Sequence, residues 1–337
     1  MSLQVKIYKI VNFLLLPLNV AIAKRSTLKS LERTQRHYES TPQLQPQPLQ
    51  DFSAQSSQCL SPQYTQAMSA QYAQCLRDVK DEILRHQNLI FWEGADAAMK
   101  LEDSSANLCC EFCGHTSERA DFQVYKTLCV FGGGRLIRYQ CPECDIIFGD
   151  EKILKLTAEE LAEEYKHHYR VYSEGDSSVH EKRAFFALKP KKTGVYLNFG
   201  AGDWNTSTAD LRAEGWNVYS YEPHSSDKTE SNSEYLIQTE EQLATMRFDG
   251  IFSNNVLEHF RHPDDVLRSM SKFLCDDGRM SHSTPCFEYL YEYTKFHLFF
   301  FLGRSKQLLA DKAQLLVEEY IKDGEFMCLV LSKKKAN

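Results

Sequence analysis

Beyond residue 190 the chain alternates short apolar runs with stretches whose apolar residues recur every three or four positions. Residues 195–199, 217–221, 235–238, 248–253 and 278–284 are too short for stable helices and are predicted to be buried strands. Between and after them, 240–246, 263–274 and 306–312 have helical spacing, and Pro263 stands at a favoured first helical position. Residues 315–321 and 326–332 flank Asp323-Gly324, a hairpin turn pair. Strand-helix alternation closed by a hairpin predicts an α/β fold with a doubly wound sheet.

Upstream the pattern changes. Residues 10–23 are an apolar run preceded by Lys6 and Lys9 and interrupted by Pro17 and two asparagines, too short and too polar to span a bilayer. Ala21-Ile22-Ala23 matches the small-x-small pattern of a signal-peptide cleavage site, but Lys24-Arg25 would be a poor start for an exported protein. Residues 1–39 are therefore predicted to carry an amphipathic helix that docks on the protein or makes peripheral contact with a membrane through 10–23. Residues 40–66, rich in Gln, Pro and Ser, read as a linker, because such a composition cannot bury enough surface to offset its ordering entropy. Ser61-Pro62 then resembles a helix start, and Met68, Tyr72, Leu76, Val79 and Ile83 predict an amphipathic helix to about Arg85 within the segment 67–104. Thr157-Ala-Glu-Glu160 is a capping box that opens a helix with Leu161, Tyr165 and Tyr169 on one face. It belongs to a helical bridge over 151–189, in which Tyr169, Tyr172 and His180 precede the first strand.

Two cysteine pairs lie in 105–150: Cys110-Glu-Phe-Cys113 and Cys141-Pro-Glu-Cys144. Two residues between thiols let both sulfurs turn onto one ion, and two such knuckles complete a tetrahedral four-sulfur shell, the donor set of a structural zinc. Cys109 is an alternative to Cys110 with poorer spacing. Predicted strands at 122–131 and 136–139, joined by Gly132-Gly133-Gly134, make a hairpin that brings the pairs together. The module resembles a zinc ribbon. Eleven cysteines in 337 residues are not a small secreted disulfide scaffold, and a thiolate site favours a reducing, cytosolic compartment. A net charge of −7 and a pI near 5.9 give no global attraction to nucleic acid, which argues against DNA as a partner. The best local candidate for RNA is thin: Arg135, Arg138 and Tyr139 with Lys126.

The richest stretch is Val195 to Glu222. Gly200 and Gly202 let the backbone turn tightly after a strand, and Glu222 ends the next strand 20 residues past Gly202, where a carboxylate can take the hydroxyls of a ribose. A dinucleotide site would want a third glycine where Asn205 stands, after Trp204, so a nucleoside ligand without a pyrophosphate is favoured over NAD. On these residues the chain resembles the class I S-adenosylmethionine-dependent methyltransferases. It departs from them at Asn198, where they usually have Asp or Glu, and at Trp204, where they usually have Gly. Asn198 can hydrogen-bond the cofactor but cannot offset the charge of its ammonium. The stretch from Phe248 to Pro263, with Val256-Leu257-Glu258-His259 after a strand, is similar to the fourth motif of many small-molecule enzymes of the class. The resemblance covers about 190–333 of the domain assigned to 190–337. It implies a Rossmann-like fold, S-adenosylmethionine as cofactor, and Asn198, Gly200, Ala201, Gly202, Glu222 and Asn254 as cofactor-binding residues. With the cysteine module in front, the whole resembles zinc-binding methyltransferases of sugar and secondary-metabolite pathways, which implies a small-molecule acceptor.

An activated sulfonium needs alignment with the acceptor, plus a base if the acceptor is a hydroxyl or an acidic carbon. His259 is the first choice of base and His262 the reserve, with Glu258 orienting a partner. The Asn-Pro-Pro-aromatic signature of enzymes that methylate nucleobase nitrogens is replaced by Ser253-Asn254-Asn255-Val256, so an oxygen or carbon acceptor is preferred. Two alternatives stay open: an RNA methyltransferase that recognises RNA through the cysteine module, and a degenerate domain that binds without turnover. The apolar run from Phe296 to Phe301 walls the acceptor pocket, is buried core or receives the N-terminal helix.

Overall fold

The computed structural model describes residues 62–102, 106–168, 172, 175–202, 206–223 and 234–334. The apolar run 10–23, most of the linker, Tyr169, Trp204 and Asn205 lie outside them. No helix among the described residues is long and apolar enough to cross a membrane.

The chain divides into two units, 1–95 and 96–337. The described part of the first is helix α1 (Pro62–Glu102), whose last turns belong to the second. It runs well beyond Arg85. Gly94 does not break it, and Trp92 Nε1 donates to Asn88 Oδ1 one turn back at 3.1 Å, a bond that supports the helix where the apolar period fades.

The second unit opens with the cysteine module. Strands β1 (Asn107–Cys109) and β2 (Thr116–Glu118) pair around the first knuckle. β3 (Gln123–Leu128) and β4 (Arg135–Gln140) form the predicted hairpin, and β5 (Ile147–Gly149) pairs with β4 after the second knuckle. Helices α2 (Glu151–Leu154), α3 (Ala158–His168) and α4 (Ser178–Ala187) lead to the main sheet. The capping box of α3 is formed in both directions, Thr157 N to Glu160 Oε2 at 2.8 Å and Glu160 N to Thr157 Oγ1 at 3.1 Å.

The main sheet then follows the predicted alternation: β6 (Val195–Phe199), α5 (Ser207–Ala213), β7 (Asn217–Tyr221), β8 (Leu236–Ile237), α6 (Glu240–Ala244), β9 (Phe248–Asn254), α7 (Pro263–Ser271) and β10 (Leu274–Ser283). After a long insertion containing β11 (Phe299–Phe300), α8 (Ser305–Lys312) leads to the closing hairpin of β12 (Leu315–Asp323) and β13 (Phe326–Lys333). The order is β12-β13-β10-β9-β6-β7-β8, with β6 to β10 parallel and β13 antiparallel to both neighbours. Strand order reverses between β6 and β9, and ligands of such sheets lie beyond the carboxyl ends of the strands at that point. Alternate residues of β6 face opposite sides of the sheet. Tyr196 packs with Phe185 of α4, Leu188 just past its end, Leu211 of α5 and Val218 in one apolar cluster. Asn198, two residues on, therefore also faces α4.

The insertion adds a strand to the cysteine module. Phe299 and Phe300 pair antiparallel with Phe148 and Ile147, completing a four-stranded sheet in the order β11-β5-β4-β3. Phe112 of the first knuckle packs on Phe299 and Phe301. Phe296 and the run from Leu298 to Phe301 are buried, so this segment is core shared by the module and the sheet domain. Arg138 corrects the surface reading of the module. It is buried on the same face of β4 as Leu136, and its guanidinium donates to the carbonyls of Glu292, Thr294 and His297 in the insertion. Tyr139 is buried as well, which leaves Arg135 and Lys126 as the exposed members of that basic set.

Candidate active site

The four cysteine sulfurs converge as their spacing predicts. Cys110 Sγ lies 3.9 Å from Cys144 Sγ, and Cys113 Sγ lies 3.6 Å from Cys141 Sγ, with all four within 4.8 Å of one another. Disulfide sulfurs would be ~2.05 Å apart. A zinc ion with bonds of ~2.3 Å places tetrahedral sulfurs about 3.8 Å apart, so the donor set and the two cross-knuckle distances fit that metal. Cys109 is exposed and its sulfur makes local contacts with the carbonyls of Cys110 and Gly114, outside the set.

At the carboxyl end of β6 the backbone turns through Gly200 and Gly202, both at positive φ, +74° and +66°. A Cβ added to Gly200 would lie 2.8 Å from Val256 Cγ2, so the turn is seated against the segment that follows β9. Gly200 N and Ala201 N donate to the Tyr221 carbonyl at 2.9 and 3.3 Å. Glu222 follows directly, and its carboxylate accepts from Gly202 N at 3.1 Å. Turn and acid thus meet, as the sequence predicts, and Glu222 is only half-buried, on the crevice side of the strand ends.

Several buried polar atoms at these strand ends have no hydrogen-bond partner among the described residues. Asn198 is 1% exposed; its Nδ2 donates to Glu181 Oε2 at 2.9 Å, while Oδ1 has no donor. Asn254 accepts from Ser283 Oγ at 2.7 Å and leaves Nδ2 without an acceptor. Asn255, held at φ +54°, leaves Oδ1 unmatched. Buried polar groups are usually satisfied, so these three atoms make the strand ends a candidate place for a polar ligand. The donors and acceptors suit the amino, carboxyl and hydroxyl groups of a nucleoside cofactor.

A second cluster lies beyond β9, on the short turn Leu257–His259. His259 is half-buried, and its Nδ1 contacts the Tyr165 hydroxyl at 2.6 Å and the Phe296 carbonyl at 3.1 Å. Those contacts hold the ring by one nitrogen and leave Nε2 as the atom for chemistry. Tyr165 is itself stacked on Phe296 at 4.1 Å. His297 stands beside His259, ring centres 5.2 Å apart; its Nδ1 meets the Tyr291 carbonyl at 3.0 Å, and burial together with His259 pushes it well below the usual imidazole range. Glu258 is buried and accepts from Thr284 Oγ1. One donor atom each from Glu258, His259 and His297 lie within 4.8 Å of one another, a set able to move a proton or to hold a cation. His262 is not brought to this cluster. It is exposed at the start of α7, and its imidazole has no partner among the described residues. Tyr165, His297 and Glu181 are site residues that sequence patterning does not single out for these roles.

Sheet order, glycine turn and orphaned polar atoms define an α/β domain with a candidate ligand site at the switch point. A family model described as a methyltransferase domain matches residues 165–320. This stretch, a little under half of the chain, is thus similar to a methyltransferase domain. Among solved structures, the 1,6-didemethyltoxoflavin-N1-methyltransferase of Burkholderia thailandensis, bound to 1,6-didemethyltoxoflavin and S-adenosylhomocysteine, is similar at 16% identity with a TM-score of 0.42, covering 59% of this chain and 96% of that one. The mitomycin 7-O-methyltransferase MmcR is similar at 14% identity and a TM-score of 0.38, over 52% of this chain. CalO1, a methyltransferase in calicheamicin biosynthesis in its S-adenosylhomocysteine-bound form, is similar at 12% identity and a TM-score of 0.38, also over 52% of this chain. The chain spans 58% of the length of these last two. Among curated proteins, no sequence matches the chain significantly.

Proposed function

We propose that this enzyme moves a methyl group from S-adenosylmethionine to an oxygen or carbon of a small molecule, with a sugar or related metabolite as the acceptor class. The observation that supports the reading best is the group of unmatched buried atoms, Asn198 Oδ1, Asn254 Nδ2 and Asn255 Oδ1, at the strand ends beside the glycine turn and Glu222. Each such atom costs ~1–3 kcal/mol in an empty site, a cost that a bound ligand with matching groups removes. S-adenosylmethionine supplies a methyl group already activated on sulfur. The backbone of Gly200, Ala201 and Gly202 lines its seat, Glu222 takes the ribose hydroxyls, and Asn254 donates to it. His259, steadied at Nδ1, takes the acceptor's proton at Nε2, with Tyr165 and Phe296 fixing the ring. In this reading the four cysteines hold a structural zinc with no coordination position left for substrate, so the metal shapes the module and takes no part in transfer. A thiolate site and this cofactor both support a reducing, cytosolic compartment.

The test is a calorimetric titration of the purified, zinc-loaded chain with S-adenosylmethionine, with NAD as control and Glu222→Ala as variant. Saturable binding of S-adenosylmethionine alone, weakened about tenfold or more in the variant, is the expected result. No binding of S-adenosylmethionine by the wild-type chain would overturn the reading.

A further inference from the structure

Asn198 occupies the end of β6 where a cationic cofactor calls for a carboxylate, and its side-chain amide carries no charge. A carboxyl group is nevertheless present one hydrogen bond away. Glu181, in the first turns of α4, is 2% exposed, and its Oε2 accepts from Asn198 Nδ2 at 2.9 Å and from Ser207 Oγ; its Oε1 accepts from Ser177 Oγ at 3.3 Å. The same turn of α4 reaches the loop that follows the glycines: Thr206 N donates to Ser178 Oγ at 2.9 Å. Glu181 is thus tied to the strand before the glycine turn and to the helix after it. Asn198 is polarised by this bond. Its Nδ2 donates to a carboxylate, which makes its unmatched Oδ1 a stronger acceptor for an ammonium.

We propose that Glu181 is the acid of the cofactor site, moved from β6 onto α4 and acting through Asn198 to offset the positive charge of bound S-adenosylmethionine. This inference rests on the cofactor assigned above. Glu181 is a positioning residue, since nothing places it against the reacting atoms.

The inference carries a proton with it. Burial raises Glu181 above the usual carboxylate range, with the Asp176 carboxylate adding to the rise, while the Ser207, Asn198 and Ser177 hydrogen bonds pull the other way. Ser207 belongs to α5, Asn198 to β6, and Ser177 and Asp176 to the segment before α4. The nearby Lys182 and Asp210 close on each other at 2.6 Å. A cation arriving at Asn198 stabilises the ionised form, so the Glu181 proton leaves to the buffer as the cofactor binds. Affinity then rises with pH from the ordinary carboxylate range up to the raised value of Glu181 and levels off above it. With one proton released, the slope approaches about tenfold per pH unit at its steepest.

The experiment is calorimetry of the full chain with S-adenosylmethionine, in buffers of differing ionisation enthalpy and across pH, on wild type, Glu181→Gln and the exchange variant Glu181→Gln/Asn198→Asp. Wild type should release a proton and show the pH slope. Glu181→Gln should bind tenfold or more weakly with the slope flattened, and the exchange variant should recover affinity because it returns a carboxylate to β6. Wild-type binding with no proton release, or Glu181→Gln binding with wild-type affinity and slope, would overturn the proposal. Should Glu181→Gln fail to fold, the wild-type proton count decides alone. Failure of the wild-type chain to bind the cofactor at all would count against the cofactor assignment instead, so the two readings fail separately.

Discussion

The cysteine cluster and the crevice at the sheet's switch point are both polar sites in an apolar setting, and they are finished to different degrees. In the cluster, four sulfurs approach one another at 3.6 to 3.9 Å across the two knuckles, and Cys110, Cys141 and Cys144 are buried. Its geometry is complete before any substrate arrives. In the crevice, Asn198, Asn254 and Asn255 each hold an atom with nothing to meet among the described residues. A closed site of the first kind stores stability, whereas an open site of the second kind gives stability up and recovers it on binding. The contrast separates the part of the chain that shapes from the part that exchanges ligands.

The largest effect should come from opening the closed site. On the proposed zinc assignment, Cys141→Ser or treatment with a chelator should remove a contribution on the order of 10 kcal/mol. That is comparable to the whole stability of a domain, ~5–15 kcal/mol. Loss of the cooperative thermal transition, with one zinc fewer per chain by elemental analysis, is the expected outcome; an unchanged melting curve would break the comparison. Next comes the proton-handling corner. His259→Gln should lower kcat by about 10²–10⁴-fold while leaving S-adenosylmethionine affinity and melting temperature near wild type. A matching fall in stability would show that the ring acts as packing for Tyr165 and Phe296. The smallest effect sharpens the contrast most. Asn254→Ala deletes the unmatched donor together with the Oδ1 that accepts from Ser283 Oγ, so stability should fall by about 1–3 kcal/mol while cofactor affinity falls several-fold. Titration and thermal melts on the same sample check both.

The sheet was legible because its strands, buried on both faces, form continuous apolar runs, and because Asp323-Gly324 marks the hairpin. The cysteine spacing was legible because it encodes local geometry. What the sequence concealed is contact between distant segments. Asn198 shows its own amide in the sequence but not the Glu181 carboxylate that holds it from another helix. His297 lies in an apolar run that hides its approach to His259. Arg138 reads as a surface base if its charge is taken alone. Yet it shares a face of β4 with Leu136, two residues back, and strand alternation carries the signal that it points inward. The overrun of α1 past Arg85 has a local cause, the Asn88–Trp92 pair, which a search for apolar periodicity does not register.

Strand β11 gives the order of synthesis a physical meaning. β5 is buried throughout and takes its outer neighbour from Phe299 and Phe300, so a nascent chain that has already produced all four cysteines still presents an unpaired apolar edge. Until more than a hundred further residues have left the ribosome, that edge is open to pairing with another chain. The cysteine module depends on a segment far along the chain for closure, and a fragment ending before Phe299 should be an aggregation hazard even when zinc is supplied.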